Sequence, residues 1–154
     1  MADFVVSIDG DEEIKLRFRR FGNAVADPRP LYGKIANWFR DEEKEIFKSE
    51  GKHYPPKWAA LNPDYQRRKF AKVGRKPILE YSGDLKKSLT ERPFGIEVIT
   101  KRAATFGSDV PYAIHHQRGT PFMPARPPLI KPTNKSQRKM QRLVQDALVK
   151  EWRS

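Results

Sequence analysis

Cysteine is absent from this 154-residue chain. Its absence excludes a disulfide framework, thiolate metal sites and cysteine nucleophiles, and it suits assembly in a reducing compartment. Long apolar runs are missing as well. No stretch approaches the roughly 18 consecutive apolar residues of a membrane span, and the acidic start Met1-Ala2-Asp3 lacks the basic region and apolar run of a secretory signal. The expectation is a product of the cytoplasm with no membrane partner. Histidine is scarce, with three in the chain, and neither a Gly-x-Ser-x-Gly elbow, a phosphate-cradling glycine loop nor a dinucleotide fingerprint occurs.

What the chain does have is positive charge, unevenly placed. It carries 31 Lys and Arg against 19 Asp and Glu, a net +12. Residues 1–50 hold 9 against 11, so the remainder holds 31 − 9 = 22 against 19 − 11 = 8, or +14. Such an asymmetry attracts phosphates or an acidic protein neighbour over long range, and charge alone does not choose between them. With 38% apolar residues and a mean hydropathy of −0.78, the chain supports one modest core under a very polar surface.

Periodicity and breakers divide the chain into elements. Phe4–Ile8 is rich in strand formers and ends at the turn pair Asp9-Gly10. Ile14, Phe18, Phe21 and Val25 recur at helical spacing. Asp27-Pro28 starts a second helix that runs to Glu50 and stops at Gly51; its apolar stripe is Leu31, Ile35, Trp38, Phe39, Ile46 and Phe47, interrupted by Asp41-Glu42-Glu43. Asn62-Pro63-Asp64 opens a short basic helix that Gly74 closes. Ser82 or Asp84 caps another short helix, and residues 96–101 and 103–107 form a hairpin. Asp109–Tyr112 begins a short helix closed by Gly119. Five prolines between Pro121 and Pro132 dictate an extended arm, and a last helix starts near Asn134 with Met140, Leu143, Val144, Ala147, Leu148 and Trp152 on one stripe. The expected fold is therefore α+β: a single domain over 1–154, with a small, mostly antiparallel sheet, N-terminal and C-terminal helices packed on it, and an extended proline-rich arm. Its parts are a strand and helices over 1–51, a basic region over 52–132 and the helix over 133–154.

Candidate chemistry is thin. His115 and His116 are adjacent, so on a helix they point in different directions, and the bland reading is one packed histidine and one exposed. Ser82 reads as helix-start chemistry rather than as a nucleophile. A metal-free nuclease would use His115 or His116 with Arg118 or Arg126 to stabilise a phosphorane-like transition state. The basic segment Arg67, Arg68, Lys69, Lys72, Arg75 and Lys76, interleaved with Phe70, is the best phosphate-binding candidate, against a plain solvated helix face. No cofactor is expected, and no metal site.

One ordered series adds more: Trp58-Ala-Ala-Leu61, Pro77-Ile-Leu79 leading to Ser82-Gly83-Asp84-Leu85 and Ser88, Tyr112-Ala113-Ile114-His115, Gly119, and Pro124-Ala125-Arg126-Pro127. This series resembles the phage virion morphogenesis family, which includes tail-completion proteins of Mu-like and P2-like phages. The resemblance covers about residues 55–130. It implies a non-enzymatic structural subunit of a tailed phage virion, in the neck or at the head-proximal end of the tail, assembled as a ring. Six copies match tail symmetry, with twelve the other candidate, and neighbouring neck or tail proteins and DNA in the channel are the expected contacts. Two features depart from the family pattern: His115–Gly119 is more basic, and Pro127-Pro128-Leu129 replaces an aromatic after the proline. The expected subunit or partner interface is Tyr112, His115, Arg118, Pro124, Arg126 and Pro127, with Arg126 either pairing with a neighbour's carboxylate or anchoring the arm in its own domain. The alternative is a small basic DNA-binding or nuclease module.

Overall fold

The computed structural model describes residues 12–54, 56–129 and 133–153. The strand expected at Phe4–Ile8 lies outside these described residues. The elements are α1 (Glu12–Ala26), α2 (Arg29–Lys48), α3 (Pro63–Val73), α4 (Asp84–Thr90), β1 (Ile96–Ile99), β2 (Ala104–Gly107), α5 (Ala113–Arg118) and α6 (Asn134–Arg153). The fold is α+β.

Local chemistry accounts for most of the boundaries. Asn62 Oδ1 accepts from the backbone N–H groups of Asp64 (2.9 Å) and Tyr65 (3.3 Å), while Pro63 needs no partner, so α3 begins where its cap satisfies the open amides. At α2 the expected cap is displaced by one residue. Pro28 takes the cap position itself, and Asp27 Oδ1 accepts from the Arg29 backbone N–H at 3.2 Å. The start of α6 is a reciprocal pair: Ser136 Oγ accepts from Thr133 N–H (2.9 Å) and Thr133 Oγ1 from Ser136 N–H (3.2 Å), the logic of a capping box with serine in the glutamate's place. Gly51, after α2, has φ +88, and a Cβ there would lie 2.7 Å from Trp58 Cδ1. Only glycine lets the chain turn so close beneath that ring.

The main core joins α2, the following turn and α4: Ile46, Phe47, Tyr54, Trp58, Leu85 and Leu89, with Ile78, Leu79 and Leu129 packed against it. Phe47 and Trp58 meet edge to face at 5.5 Å. A second aromatic cluster seats the hairpin on α2, with Phe94 lying 5.9 Å from Phe39 and 5.3 Å from Phe106. β1 and β2 pair antiparallel in the register Ile96↔Gly107 to Ile99↔Ala104. The hairpin's alternation runs against hydrophobicity: Ile96 and Val98 are exposed, while Glu97 turns inward to Arg40. α6 packs on α1 and α2, with Trp152 edge-on to Phe21 at 6.1 Å. Val25, expected on the packed stripe of α1, is 57% exposed.

The acidic run in α2 does not simply interrupt the stripe. Glu43 is fully buried. Glu42 binds three elements together: Oε2 accepts from Tyr54 Oη (2.6 Å) and meets His53 Nε2 (2.6 Å), and Oε1 accepts from Lys139 of α6 (2.9 Å). Burial would raise its carboxyl, but the hydrogen bonds from Tyr54, Lys139 and His53 outweigh that and hold it down at about 2, against an ordinary 4.5. A depressed folded-state value means the stabilisation is complete above pH 4.5 and is lost as pH falls toward 2. Glu42→Gln should therefore be less stable than wild type near neutrality, and the gap should close as the pH drops through that window. Denaturant titrations of both proteins across the window check this; a constant gap would contradict it.

Candidate functional site

The arm that follows α5 is tied down along most of its described length. Gly119 closes α5 with φ +77, and a Cβ there would stand 2.8 Å from Ala125 N, so the returning chain passes directly against it. Thr120 and Met123 then exchange backbone bonds of 2.8 and 3.1 Å around a tight turn carrying Pro121 and Phe122. Arg126 N–H donates to His116 O (2.8 Å), and Leu129 N–H to Gln117 Oε1 (3.1 Å). Pro128 is fully buried. Arg126 itself is only 5% exposed. Its Nε donates to Ala59 O (2.7 Å) and its Nη2 to Ala60 O (2.8 Å), and Trp58 Nε1 returns a bond to Pro127 O (2.9 Å).

These bonds correct the expected interface. Arg126 meets two successive carbonyls of its own domain rather than a carboxylate, the second of the two roles anticipated for it. Burial lowers its pKa, opposed by Tyr65, but a guanidinium stays charged at any physiological pH. Pro127 is half-buried, with its carbonyl taken by Trp58. Tyr112, His115, Arg118 and Pro124 remain at the surface. The arm from Gly119 to Leu129 is thus tied into its own domain.

His116 is half-buried and sits edge-on to Tyr112 at 5.9 Å. Burial first, then the charge of Arg126 and the neighbouring His115, pushes its imidazole below the ordinary range. His115 is exposed. The version of the nuclease arrangement that uses Arg126 does not come together, because its Nε and Nη2 donors are committed to backbone. No group of three or more His, Cys, Asp or Glu among the described residues could hold a metal ion.

Beneath the arm lies an open cleft of about 800 Å³, with Tyr65, Arg68 and Lys69 of α3 on one wall and His116, Met123 and Pro124 on the other. The basic segment divides around it. Lys69 is only 3% exposed; its Nζ reaches Pro77 O, and burial lowers its pKa against the attraction of Glu80 and Glu50. It belongs to the interior, not to the expected contact surface. Arg67 is exposed and bonded to Asp64, and Lys76 Nζ donates to Tyr81 O at 2.8 Å. Arg68, Lys72 and Arg75 are exposed with no ion pair among the described residues. They form the unneutralised part of this face.

Two features escaped the sequence. Phe122 is 98% exposed at the tip of the arm's turn. The warning sign was an unpaired aromatic in a proline-rich stretch that no periodicity claims. The other is Arg40, 5% exposed, whose guanidinium donates to Glu97 Oε2 (2.5 Å) and Glu91 O (3.2 Å) and lies 4.2 Å over the Phe94 ring. An arginine one residue before an acidic run reads as surface, and only the hairpin's return makes it interior.

Residues 9–148 match the phage virion morphogenesis family. The chain belongs to that family, and its role is in building the phage virion. It is also 32% identical over 116 residues to the "Mu-like prophage FluMu G protein 1" of Haemophilus influenzae, a stretch covering 74% of this chain and 75% of the relative. No solved structure matches. The matched span runs well beyond the motif region, taking in α1, α2 and most of α6.

The clamp generates a stability prediction. Arg126→Ala removes two charge-assisted bonds to Ala59 and Ala60, residues exposed enough for water to replace part of the loss. The cost should be about 2–3 kcal/mol. Arg126→Lys should recover less than half of it, since an ammonium cannot offer the same fork to two adjacent carbonyls. Chemical denaturation of the isolated protein reads both; wild-type stability in Arg126→Ala would show that the arm is held by its prolines alone.

Proposed function

We propose that this chain is a structural subunit that completes the tail of a tailed phage and helps join it to the head, acting as a ring at the neck or head-proximal tail end. Membership of the virion morphogenesis family across residues 9–148 carries this reading. Six copies are favoured because tails are six-fold, with twelve as the other candidate. Function then resides in surfaces rather than in a reaction centre. An arm pre-ordered by its own hydrogen bonds suits such a part, because a rigid element loses little entropy on meeting a neighbour.

The unneutralised face of Arg68, Lys72 and Arg75 is the proposed site of contact with a polyanionic surface, either DNA in the channel or the acidic side of a neighbouring ring. The +14 balance of residues 51–154 favours such contact without deciding between them. Reversing all three charges to glutamate should leave the thermal unfolding temperature within a few degrees of wild type, since none is buried. Complementation with that variant should yield unjoined heads and tails in electron micrographs. Normal, infectious particles would remove this face from the function. The alternative DNA-binding module predicts something different: a monomer whose DNA affinity falls by orders of magnitude with added salt. Light scattering and salt-dependent DNA binding of the purified protein distinguish the two.

A further inference from the structure

The cleft beneath the arm carries uncompensated positive charge. Beside the His116 imidazole, it is lined by the charged side chains of Arg68, Lys69 and Arg126 against Asp64 and Glu80. Both carboxylates are already matched from outside the lining, Asp64 by Arg67 and Glu80 by Lys86 at 2.9 Å. Lys69 and Arg126 donate to the carbonyls of Pro77, Ala59 and Ala60, which are neutral acceptors and leave the charge in place. Arg68 is exposed and has no ion pair among the described residues. Between these charges, Tyr65, Leu79, Tyr81 and Met123 supply apolar wall. A duplex lying across Arg68 and its basic neighbours would leave that wall uncovered. A peptide segment whose carboxylates flank apolar side chains covers both.

The chain contains such a segment. Residues 1–14 hold five acidic residues, Asp3, Asp9, Asp11, Glu12 and Glu13, and no Lys, Arg or His; no other stretch free of Lys and Arg holds as many. Between the first two lie Phe4, Val5, Val6 and Ile8, and an extended chain sets Phe4, Val6 and Ile8 in one row with Asp3 and Asp9 at its two ends. The segment leads into α1, whose placement decides which cleft it reaches. α6 runs antiparallel to α2, since Lys139 meets Glu42 and Lys135 the His53 carbonyl at one end, while Leu148 shares a groove with Leu31 at the other. It runs antiparallel to α1 as well: Ala24 shares that groove with Ala147, and Phe21 meets Trp152 in the last turn of α6. The nine residues from Glu12 to Phe21 therefore carry α1 about 13 Å past that contact. The cleft is at the opposite end of the domain, beyond Lys48, where Gly51 and Trp58 lead into Ala60 and Leu61. With α2 itself about 28 Å long, Glu12 and the cleft stand about 40 Å apart. The chain from Glu12 back to Phe4 reaches about 28 Å at full stretch. It falls short of its own cleft and is free to enter another copy's.

We propose that residues 3–11 of each subunit lie in the cleft beneath the arm of the next copy, with the row of Phe4, Val6 and Ile8 against its apolar wall and an aspartate carboxylate on Arg68. The giving and receiving surfaces are at opposite ends of the domain, which is the heterologous arrangement that closes a ring. The inference rests on the ring reading above and names its contact. It takes Arg68 into the subunit interface and leaves Lys72 and Arg75, which are not part of the cleft's lining, for the polyanionic surface.

Charge exchange in the full chain tests the contact. Arg68→Glu alone, and Asp3→Lys together with Asp9→Lys, should each keep the wild-type circular dichroism and weaken self-association, measured by light scattering, by roughly tenfold or more. A chain carrying all three changes should regain most of the loss, because the charges are then reversed on both sides; no recovery would overturn the contact. Since the chain has no cysteine, introduced thiols report the same pairing. Val6→Cys and Met123→Cys, mixed and oxidised, should give a cross-linked dimer, and a chain carrying both should give a ladder ending at the ring's copy number. A ring visible by microscopy with no disulfide between positions 6 and 123 would overturn the contact and leave the ring reading standing. Binding of duplex DNA that Arg68→Glu abolishes, with self-association unchanged, would give the cleft to DNA and overturn the contact as well. Absence of any oligomer, both in solution and in particles, would overturn both.

Discussion

The fork between Arg126 and the carbonyls of Ala59 and Ala60 is the contact on which the rest of the arrangement depends. It joins two stretches 66 and 67 residues apart in sequence, neither of which has a ladder of its own. A connection of extended chain cannot satisfy its backbone internally, and the arm's prolines remove donors besides. Guanidinium supplies what is missing, with two parallel donors in one plane at the spacing of successive carbonyls. The indole N–H of Trp58 completes the exchange by binding Pro127 O, so each segment caps the other. Trp58 in turn rests edge-on against Phe47 and stands over Gly51, which carries the clamp into the core and to the end of α2. The placement of the exposed turn at 120–123 therefore follows from a tryptophan and a glycine far away in sequence.

The same economy governs the charges. This chain has little apolar surface to bury, and it recruits ionisable side chains as internal ties. Arg40 joins α2 to Glu97 of the hairpin while stacking on Phe94, and Glu42 joins α2 to Tyr54 and to Lys139 of α6. Buried ion pairs are weak sources of net stability against an apolar replacement, because desolvation offsets most of the attraction. They do penalise wrong arrangements strongly, since a displaced partner leaves a charge alone in the interior. In a domain with two small apolar clusters, that penalty helps specify where the hairpin and the last helix sit on α2.

This explains which parts were legible beforehand. Helices whose limits rest on local chemistry were read closely: Asn62-Pro63 and Gly74 bound α3, Gly119 ends α5, and Asn134 starts α6. The α+β class followed from the same signals. The faces of the hairpin were not legible, because alternation in β1 shows two faces without saying which is inner, and the deciding partner, Arg40, is 57 residues away. Lys69 was assigned to a basic surface with its neighbours because composition cannot see that one turn position of α3 faces Pro77. For Arg126 two roles were open, a neighbour's carboxylate or an anchor for the arm, because the backbone carbonyls it meets carry no residue-type signature. Phe122 left almost no trace, since an exposed aromatic is defined by what does not surround it.

Exposed apolar side chains are common on folded proteins and most need no explanation. Ile96 and Val98 can be placed among these: they sit on a two-stranded hairpin whose other face is occupied by Glu97 and Phe106, so alternation forces some residue outward, and β-branched ones favour the strand. No such geometric necessity holds at Phe122. A turn closed by two backbone bonds accepts polar residues readily, and water would be gained by one. A polar residue there would cost the domain little, because the ring is 98% exposed and only borders the cleft beside the turn. What the internal clamp does is deliver that turn at one place, through the Arg126 fork and the Thr120–Met123 bonds.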